Sequence, residues 1–398
     1  MKNNKAATAL LLGVLAGFLA ACLLLLAVFG GTAGVASALK YASVLRVLRT
    51  YFVADIDMPS VSDSAMAGAV SGIDDRWSYY MTAEEYADYL DYSANRYQGI
   101  GVTVQKDGET GGFRILSVNR DGPAMQAGIV VNDIILAVDG IDVTAEETTE
   151  LRTLIQEDFG GQALLTVQHE SGLTEDIPVS CEEIYTDPVE YEMLAGGTGY
   201  VAIRNFRDGA AQSAIDAVED LIGQGAERLV FDVRDDPGGQ LTELVALLDH
   251  LLPEGDIFIR SDRAGHESVE VSDADCVELP MAVIVNGDSY SAAEFFAAAL
   301  REYDRAVVVG EATTGKSRSQ VTVALYDGSA VHISKYRYLT PNRVDLFETG
   351  GLTPDVEIAL SEEEYELFET GWLEPADDPQ VQAAAEALQT AEIDGRSA

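Results

Sequence analysis

Positive charge is what this chain has least of. Over 398 residues, 25 Lys and Arg stand against 67 Asp and Glu, a formal net charge of −42. Phosphate backbones are bound by clustered cations, so a nucleic-acid partner is excluded and the acidity is read as serving solubility. Histidine is almost as scarce: His169, His250, His266 and His332 are far apart, and none stands in an HExxH or comparable ligand pattern. The three cysteines, Cys22, Cys181 and Cys276, lack metal-ligand spacing; one disulfide is allowed but nothing demands it. No metal and no cofactor is therefore expected. Internal repeats and low-complexity linkers are missing too, while 47% of the residues are apolar, enough to bury two or three domain cores.

Charge is wholly absent from one long stretch. After MKNNK come more than twenty consecutive uncharged residues, ALLLGVLAGFLAACLLLLAVF among them. At about 1.5 Å rise per residue, such a run spans a bilayer core of about 30 Å. A membrane anchor and a cleaved signal segment both fit, and LAAC at Leu19 to Cys22 resembles a lipoprotein processing site. The apolar run continues past Cys22, where a cleaved segment would turn polar, so residues 1–39 are read as an uncleaved anchor. Lys2 and Lys5 compete with Lys40, Arg46 and Arg49 for the inside face. The short head favours the N-terminus inside and the body outside the cytoplasm.

Residues 40–95 keep helical spacing at Tyr41, Val44, Leu45, Leu48 and Phe52, with a second helical patch in EEYADYLDYSANRY. From residue 96 to 182 short β-like runs, GIGVTVQ, FRILSVN, DIILAVDG and ALLTVQHE, alternate with Gly and Asp turns, and EETTELRTLIQ reads as a helix before the last of them. Tyr97-Gln98-Gly99-Ile100-Gly101-Val102, then Gly122-Pro123-Ala124, Ala127-Gly128-Ile129 and Asn132-Asp133-Ile134-Ile135, resemble the carboxylate-binding loop and signature of a PDZ domain. A Gly-rich strand entry of this kind exposes N–H groups that can hold a peptide's terminal carboxylate. Residues 183–360 alternate strand and helix, which predicts an α/β unit with a parallel sheet, closed by a hairpin across Tyr326-Asp327-Gly328. Residues 361–398 read as a helical tail. The fold class expected is thus multidomain: a transmembrane helix, a helical segment, a PDZ-like β-rich domain and an α/β core with its tail.

Chemistry enters at NGDSYSAAEFF. Ser291 opens a helix after the strand PMAVIV and a Gly-Asp turn, as a nucleophile at the end of a sheet would. The same Ser291-Ala292-Ala293-Glu294 is also a capping box, so the serine alone decides nothing. No histidine follows within thirty residues, and on the other side the nearest is His266 in a polar loop. The chain has six lysines, and Lys316 stands in GEATTGKSRSQ directly after the strand AVVVG. A neutral lysine can serve a serine as base, provided desolvation lowers its pKa from about 10.4. Gln320, four residues on, could hold that amine without adding charge. In DVRDDPGGQL, Gly238 and Gly239 could present backbone N–H groups to an anion.

DVRDDPGG, SYSAAE and GKSRSQ, in that order, resemble the motifs of the carboxyl-terminal processing proteases, serine peptidases that carry a PDZ domain. GIDDRWSYYMTAEEY and GGLTPDVEI extend the resemblance from about Val44 to Ala385. It implies Ser291 as nucleophile, Lys316 as general base, Gln320 as its orienting partner, and Gly238 or Gly239 with Ala292 as oxyanion donors. It also implies protein or peptide substrates, bound through their C-termini by the Tyr97 to Val102 loop, with self-association left open. The chain departs from the family at Tyr290 for a small residue, Asp236 for Asn, Thr314 for an aromatic and Ser317 for Gly. A PDZ scaffold that binds peptides without cleaving them is the rival expectation.

Overall fold

The structure is a computed structural model that describes residues 2–119, 122–156 and 158–393. The chain divides after Ile73 into two compact units. The first consists of the helices Lys2–Val28, Thr32–Tyr51 and Met58–Ser71. Leu11–Val28 is long and apolar enough to cross a membrane. Gly30 and Gly31, with φ of 68° and 93°, break the run before the second helix, a backbone that side chains with a Cβ resist. Asp57 caps the third helix by accepting from the Ser60 N–H, and a proline occupies its first turn.

The second unit begins with residues that the sequence places before the PDZ-like part. Tyr79–Met81 is a strand, and Thr82 and Glu85 form a capping box at the start of helix Ala83–Ser93. The PDZ-like part is an antiparallel sheet whose strands, in order, are Val102–Lys106, Phe113–Val118, Ile134–Val138, Gln162–Gln168 and Thr174–Ser180. Its helix Thr148–Gln156 sends Leu151 and Ile155 into a core with Phe113, Ile115, Ile135 and Leu165. Arg96–Gly99 pairs antiparallel with Glu182–Tyr185, so the entering and leaving chains close together as a neck.

The α/β part is a six-stranded sheet in the order Val189–Leu194, Thr198–Ile203, Arg228–Asp232, Met281–Val285, Ala306–Gly310 and Val356–Glu357, parallel after its first pair. Strands buried on both faces are expected to be apolar throughout, and MAVIV is buried at every position. Val201, Phe231 and Val283 face the helices Ala210–Gln224, Leu241–Leu251 and Ala292–Glu302, while Tyr200, Val230 and Ile284 face Val381, Ala384 and Leu388 of the helix Pro379–Ile393. That two-residue alternation gives the sheet a helical layer on each side. Residues 394–398 of the expected tail lie outside the described residues.

A second sheet contributes Phe258 and Tyr338 to this core. The expected hairpin forms from Arg318–Ala324 and Ala330–Leu339, and the longer strand also pairs with Gly255–Ser261 and with Tyr79–Met81. Tyr79 lies opposite His332. A segment from before the PDZ-like part is thereby fixed beside the residues that follow Lys316.

Candidate active site

Two serines compete in the turn after Met281–Val285, and the structure gives them different surroundings. Ser289 is fully buried; its hydroxyl donates to the Val233 carbonyl at 2.7 Å and accepts from the Asn286 N–H at 3.0 Å. It ties the turn to the neighbouring strand end. Ser291 is half-buried, lines a cavity, and sits at φ 62°, ψ −118°, a conformation that costs a non-glycine residue energy and persists only where its surroundings enforce it.

The enforcing group is Glu294. Its carboxylate is completely buried and accepts from the Ser291 N–H at 3.0 Å, the Lys316 N–H at 2.9 Å, the Gly315 N–H at 2.6 Å and the Thr313 hydroxyl at 2.5 Å. Burial raises its pKa, and these four donors oppose the rise. One side chain therefore sets the backbones of Ser291 and Lys316 relative to each other. The Tyr338 hydroxyl adds a second link, donating to the Lys316 carbonyl and contacting the Ser291 side chain.

Lys316 directs its amine over the Trp77 ring, 4.4 Å from the centroid, with the Tyr290 ring at 5.5 Å. Burial pulls its pKa down to about 8; the Glu294 and Asp75 carboxylates resist this and the Arg76 cation assists it. Gln320 reaches the same cavity, but its amide nitrogen donates to the Arg318 carbonyl at 2.8 Å and the Ser334 hydroxyl at 3.0 Å. Among the described residues it makes no hydrogen bond to Lys316, and only its carbonyl end is left to approach the amine.

The third segment closes over the serine. Gly238, at φ 81°, could carry no side chain, since a Cβ there would lie 2.7 Å from the Ala292 nitrogen and 2.8 Å from the Ser291 Cβ. Its N–H donates to Asp236 Oδ1 at 2.6 Å. In this conformation Gly238 is therefore engaged elsewhere, and of the three expected oxyanion donors Gly239 and Ala292 remain, both lining the cavity. Asp236 is fully buried, its Oδ2 has no partner among the described residues, and burial raises its pKa well above the carboxylate range. Burial thus favours its neutral form, which resembles asparagine in shape and charge.

The cavity encloses about 560 Å³. Its walls include residues that sequence spacing did not single out, Trp77, Tyr79 and His332. His332 stacks on Tyr79 at 4.8 Å and shares a hydrogen bond with Thr322 Oγ1 at 2.8 Å; burial first, then the Lys316 charge, pushes its pKa down to about 4. It is neutral at neutral pH. A signal was present in the strand AVHISKYRYL, where His332, Ser334, Tyr336 and Tyr338 recur every second residue, but only the pairing of the strand shows which face they share.

A second cavity, of about 640 Å³, is lined by Tyr97, Gln98, Gly99, Ile100, Gly101 and Val102 together with Leu151 and Ile155. The Ile100 carbonyl accepts from the Ala124 N–H at 2.9 Å, bracing the loop on the Gly122-Pro123-Ala124 turn, and Gly101 takes φ 83°. Val102–Lys106 is the edge of its sheet, so that a peptide strand could be added beside it.

Comparison with known proteins agrees with this layout. Residues 197–358 match peptidase family S41 and residues 114–169 match a PDZ domain. A protein of Staphylococcus saprophyticus described as a probable CtpA-like serine protease is 27% identical over 323 residues, covering 80% of this chain and 65% of its own length. One of the same description from Staphylococcus aureus strain COL is 28% identical, with 80% and 64% covered. The chain thus spans under two thirds of the length of these curated relatives. Among solved structures, the photosystem II D1 C-terminal processing protease superposes with a TM-score of 0.50 at 25% identity, over 85% of this chain and 92% of that one. A protein described as an S41 protease of Bacteroides fragilis NCTC 9343 reaches a TM-score of 0.56 at 17% identity, over 85% and 98%, and shares the fold. A PDZ match thus precedes a peptidase family S41 match along the chain, and over most of its length the chain is similar to CtpA-like serine proteases and to the D1 C-terminal processing protease.

Proposed function

We propose that this protein is a serine endopeptidase that cleaves protein substrates through an acyl-enzyme on Ser291, with Lys316 as general base. The observation that carries this reading is a half-buried lysine, its pKa drawn down to about 8, in the same cavity as a serine in a strained helix-entry conformation. The Ser291 oxygen adds to the scissile carbonyl while the Lys316 amine takes its proton. The oxyanion so formed is met by the N–H groups of Gly239 and Ala292, the latter at a helix N-terminus. Lys316 then returns the proton to the departing amine, and water repeats the sequence on the acyl-enzyme. The Tyr97 to Val102 loop receives substrate C-termini, and Leu11–Val28 anchors the protein with its catalytic part outside the cytoplasm.

A peptide-binding scaffold without turnover is the second reading, favoured by the engaged N–H of Gly238 and by Gln320 turning its amide to Ser334. One experiment separates them. Purified protein is incubated with an unstructured substrate and, separately, with a serine-reactive phosphonate. Hydrolysis and labelling are expected in the parent chain and absent from folded Ser291→Ala. Ser289→Ala is expected to lose about 1–3 kcal/mol of stability, because the buried Asn286 N–H is left without an acceptor, yet to keep turnover. Turnover surviving in folded Ser291→Ala overturns the assignment.

A further inference from the structure

Tyr92 and Arg207 line both cavities, and among the described residues no other charged residue does. The Arg207 guanidinium stacks on the Tyr92 ring, 3.3 Å from its centroid, and donates from Nη1 to the Tyr92 carbonyl at 3.4 Å. Its backbone N–H is fixed by the Asn205 side chain at 2.9 Å. The arginine is thus held flat in the wall between the peptide groove and the Ser291 cavity.

Among the described residues it has no carboxylate partner. Arg96, Arg114, Arg204, Arg260, Arg301 and Arg343 each have one, at 2.5 to 3.7 Å. Asp236, the carboxyl that acts on Arg207 at longer range, is fully buried and makes no ion pair with it among the described residues. A half-buried guanidinium without a counter-ion is costly, and burial disfavours its charged form here. Arg76, Arg152, Arg305 and Arg337 also show no ion pair among the described residues, but none of them lines both cavities. Stacking occupies the face of the guanidinium and the Tyr92 carbonyl takes Nη1. The remaining edge, Nε and Nη2, presents the fork that matches a carboxylate.

We propose that Arg207 is a substrate-binding residue that takes an acidic side chain, Asp or Glu, in the stretch of polypeptide running from the PDZ groove to the Ser291 cavity. The protein then selects substrates twice, by their C-terminus and by an acidic residue upstream of it. The role of that stretch rests on the endopeptidase reading, but the contact is tested without turnover.

The test uses the full chain carrying Ser291→Ala and fluorescent peptides of one sequence with an apolar C-terminus. Asp and Glu are exchanged for Asn and Gln at each upstream position in turn, and affinity is read by fluorescence anisotropy. At one position, or two adjacent ones, the acid is expected to bind roughly tenfold more tightly than the amide, the scale of a charge-assisted contact. Adding Arg207→Ala should bring that ratio to about one, Arg207→Lys should keep part of it, and Arg207→Glu should reverse it. Arg207→Lys, the mildest change, serves should the other variants misfold. An equal affinity for acid and amide at every position, including no binding at all, overturns the proposal, as does an acid preference that survives Arg207→Ala. Failure of the endopeptidase reading shows separately, as absence of hydrolysis and of phosphonate labelling in the parent chain.

Discussion

Burial moves the pKa of Lys316 down and that of Asp236 up, in each case toward the neutral form. For Lys316 this favours the state a base requires. Activity should rise with pH through a limb with its midpoint near 8, and no limb near 6.5 is expected, since His332 stays neutral above about 4. Lys316→Arg keeps the charge but has no accessible neutral form, so turnover should fall at least about a hundredfold, as far as in Lys316→Ala. Near-normal hydrolysis by Lys316→Arg would refute a base role. For Asp236 the linkage has the opposite sign to that of a paired acid. Its folded pKa is raised, so its penalty is absent below the unfolded value near 3.9 and grows as pH rises toward the folded value. Asp236→Asn should therefore raise the melting temperature at pH 7 and leave it nearly unchanged at pH 4; equal shifts at both would show that Asp236 is ionised in the fold. Ser291 and Lys316 were legible in the sequence because local motifs carry them. Trp77 and His332 were not, because they reach the cavity through pairing across some 250 residues, Tyr79 with His332, which no local pattern records. Gln320 stood in the right motif, yet its amide partner, Ser334, is set by strand register.

At the level of elements, the alternation of strand and helix predicted the parallel sheet and its layers, and the hairpin formed where Asp327 and Gly328 offer a turn. What the helix Pro379–Ile393 does could not be read from its own residues. It begins beside Asp378, whose Oδ1 accepts the Gln380 N–H at 2.7 Å and whose Oδ2 pairs with Arg234 at 2.8 Å. Arg234 is itself bound to Asp232 and to the Gln380 side chain, all of them buried, and it belongs to the segment that leads into Gly238 and Gly239. The C-terminal helix is thus bolted to the rear of the proposed oxyanion turn. Asp378→Ala removes a helix cap, worth about 1 kcal/mol, and one of the two carboxylate partners of a buried cation, worth a further ~2 kcal/mol. Urea denaturation should show a loss of about 3 kcal/mol, and kcat should fall more than KM changes. A loss below about 1 kcal/mol would mean that Asp232 alone satisfies Arg234.

For the molecule as a whole, the question is whether binding and chemistry are one apparatus or two. The motifs proposed to be catalytic all follow Gly199, and among the described residues the PDZ-like core shares no buried residue with the core of the α/β sheet. The two parts meet at the neck, where Gly99 pairs with Glu182, so the chain enters and leaves the domain at neighbouring points. Removing residues 100–181 and joining those ends through a short Gly-rich turn leaves the α/β sheet, the second sheet and the Tyr79–Met81 pairing in place. The Ser291 cavity should persist, because the residues that form it, from Trp77 to Tyr338, lie outside the excised stretch. The excised protein should therefore react with a serine-directed phosphonate at a rate within about tenfold of the parent. Its choice among substrates that differ only at the C-terminus should disappear, since the Ile100 to Val102 loop and the wall of Leu151 and Ile155 are gone. Competition between two such substrates, followed by mass spectrometry, measures that choice directly. A well-folded excision product that no longer labels would show that the PDZ-like domain helps to build the catalytic site, and that binding and chemistry cannot be taken apart.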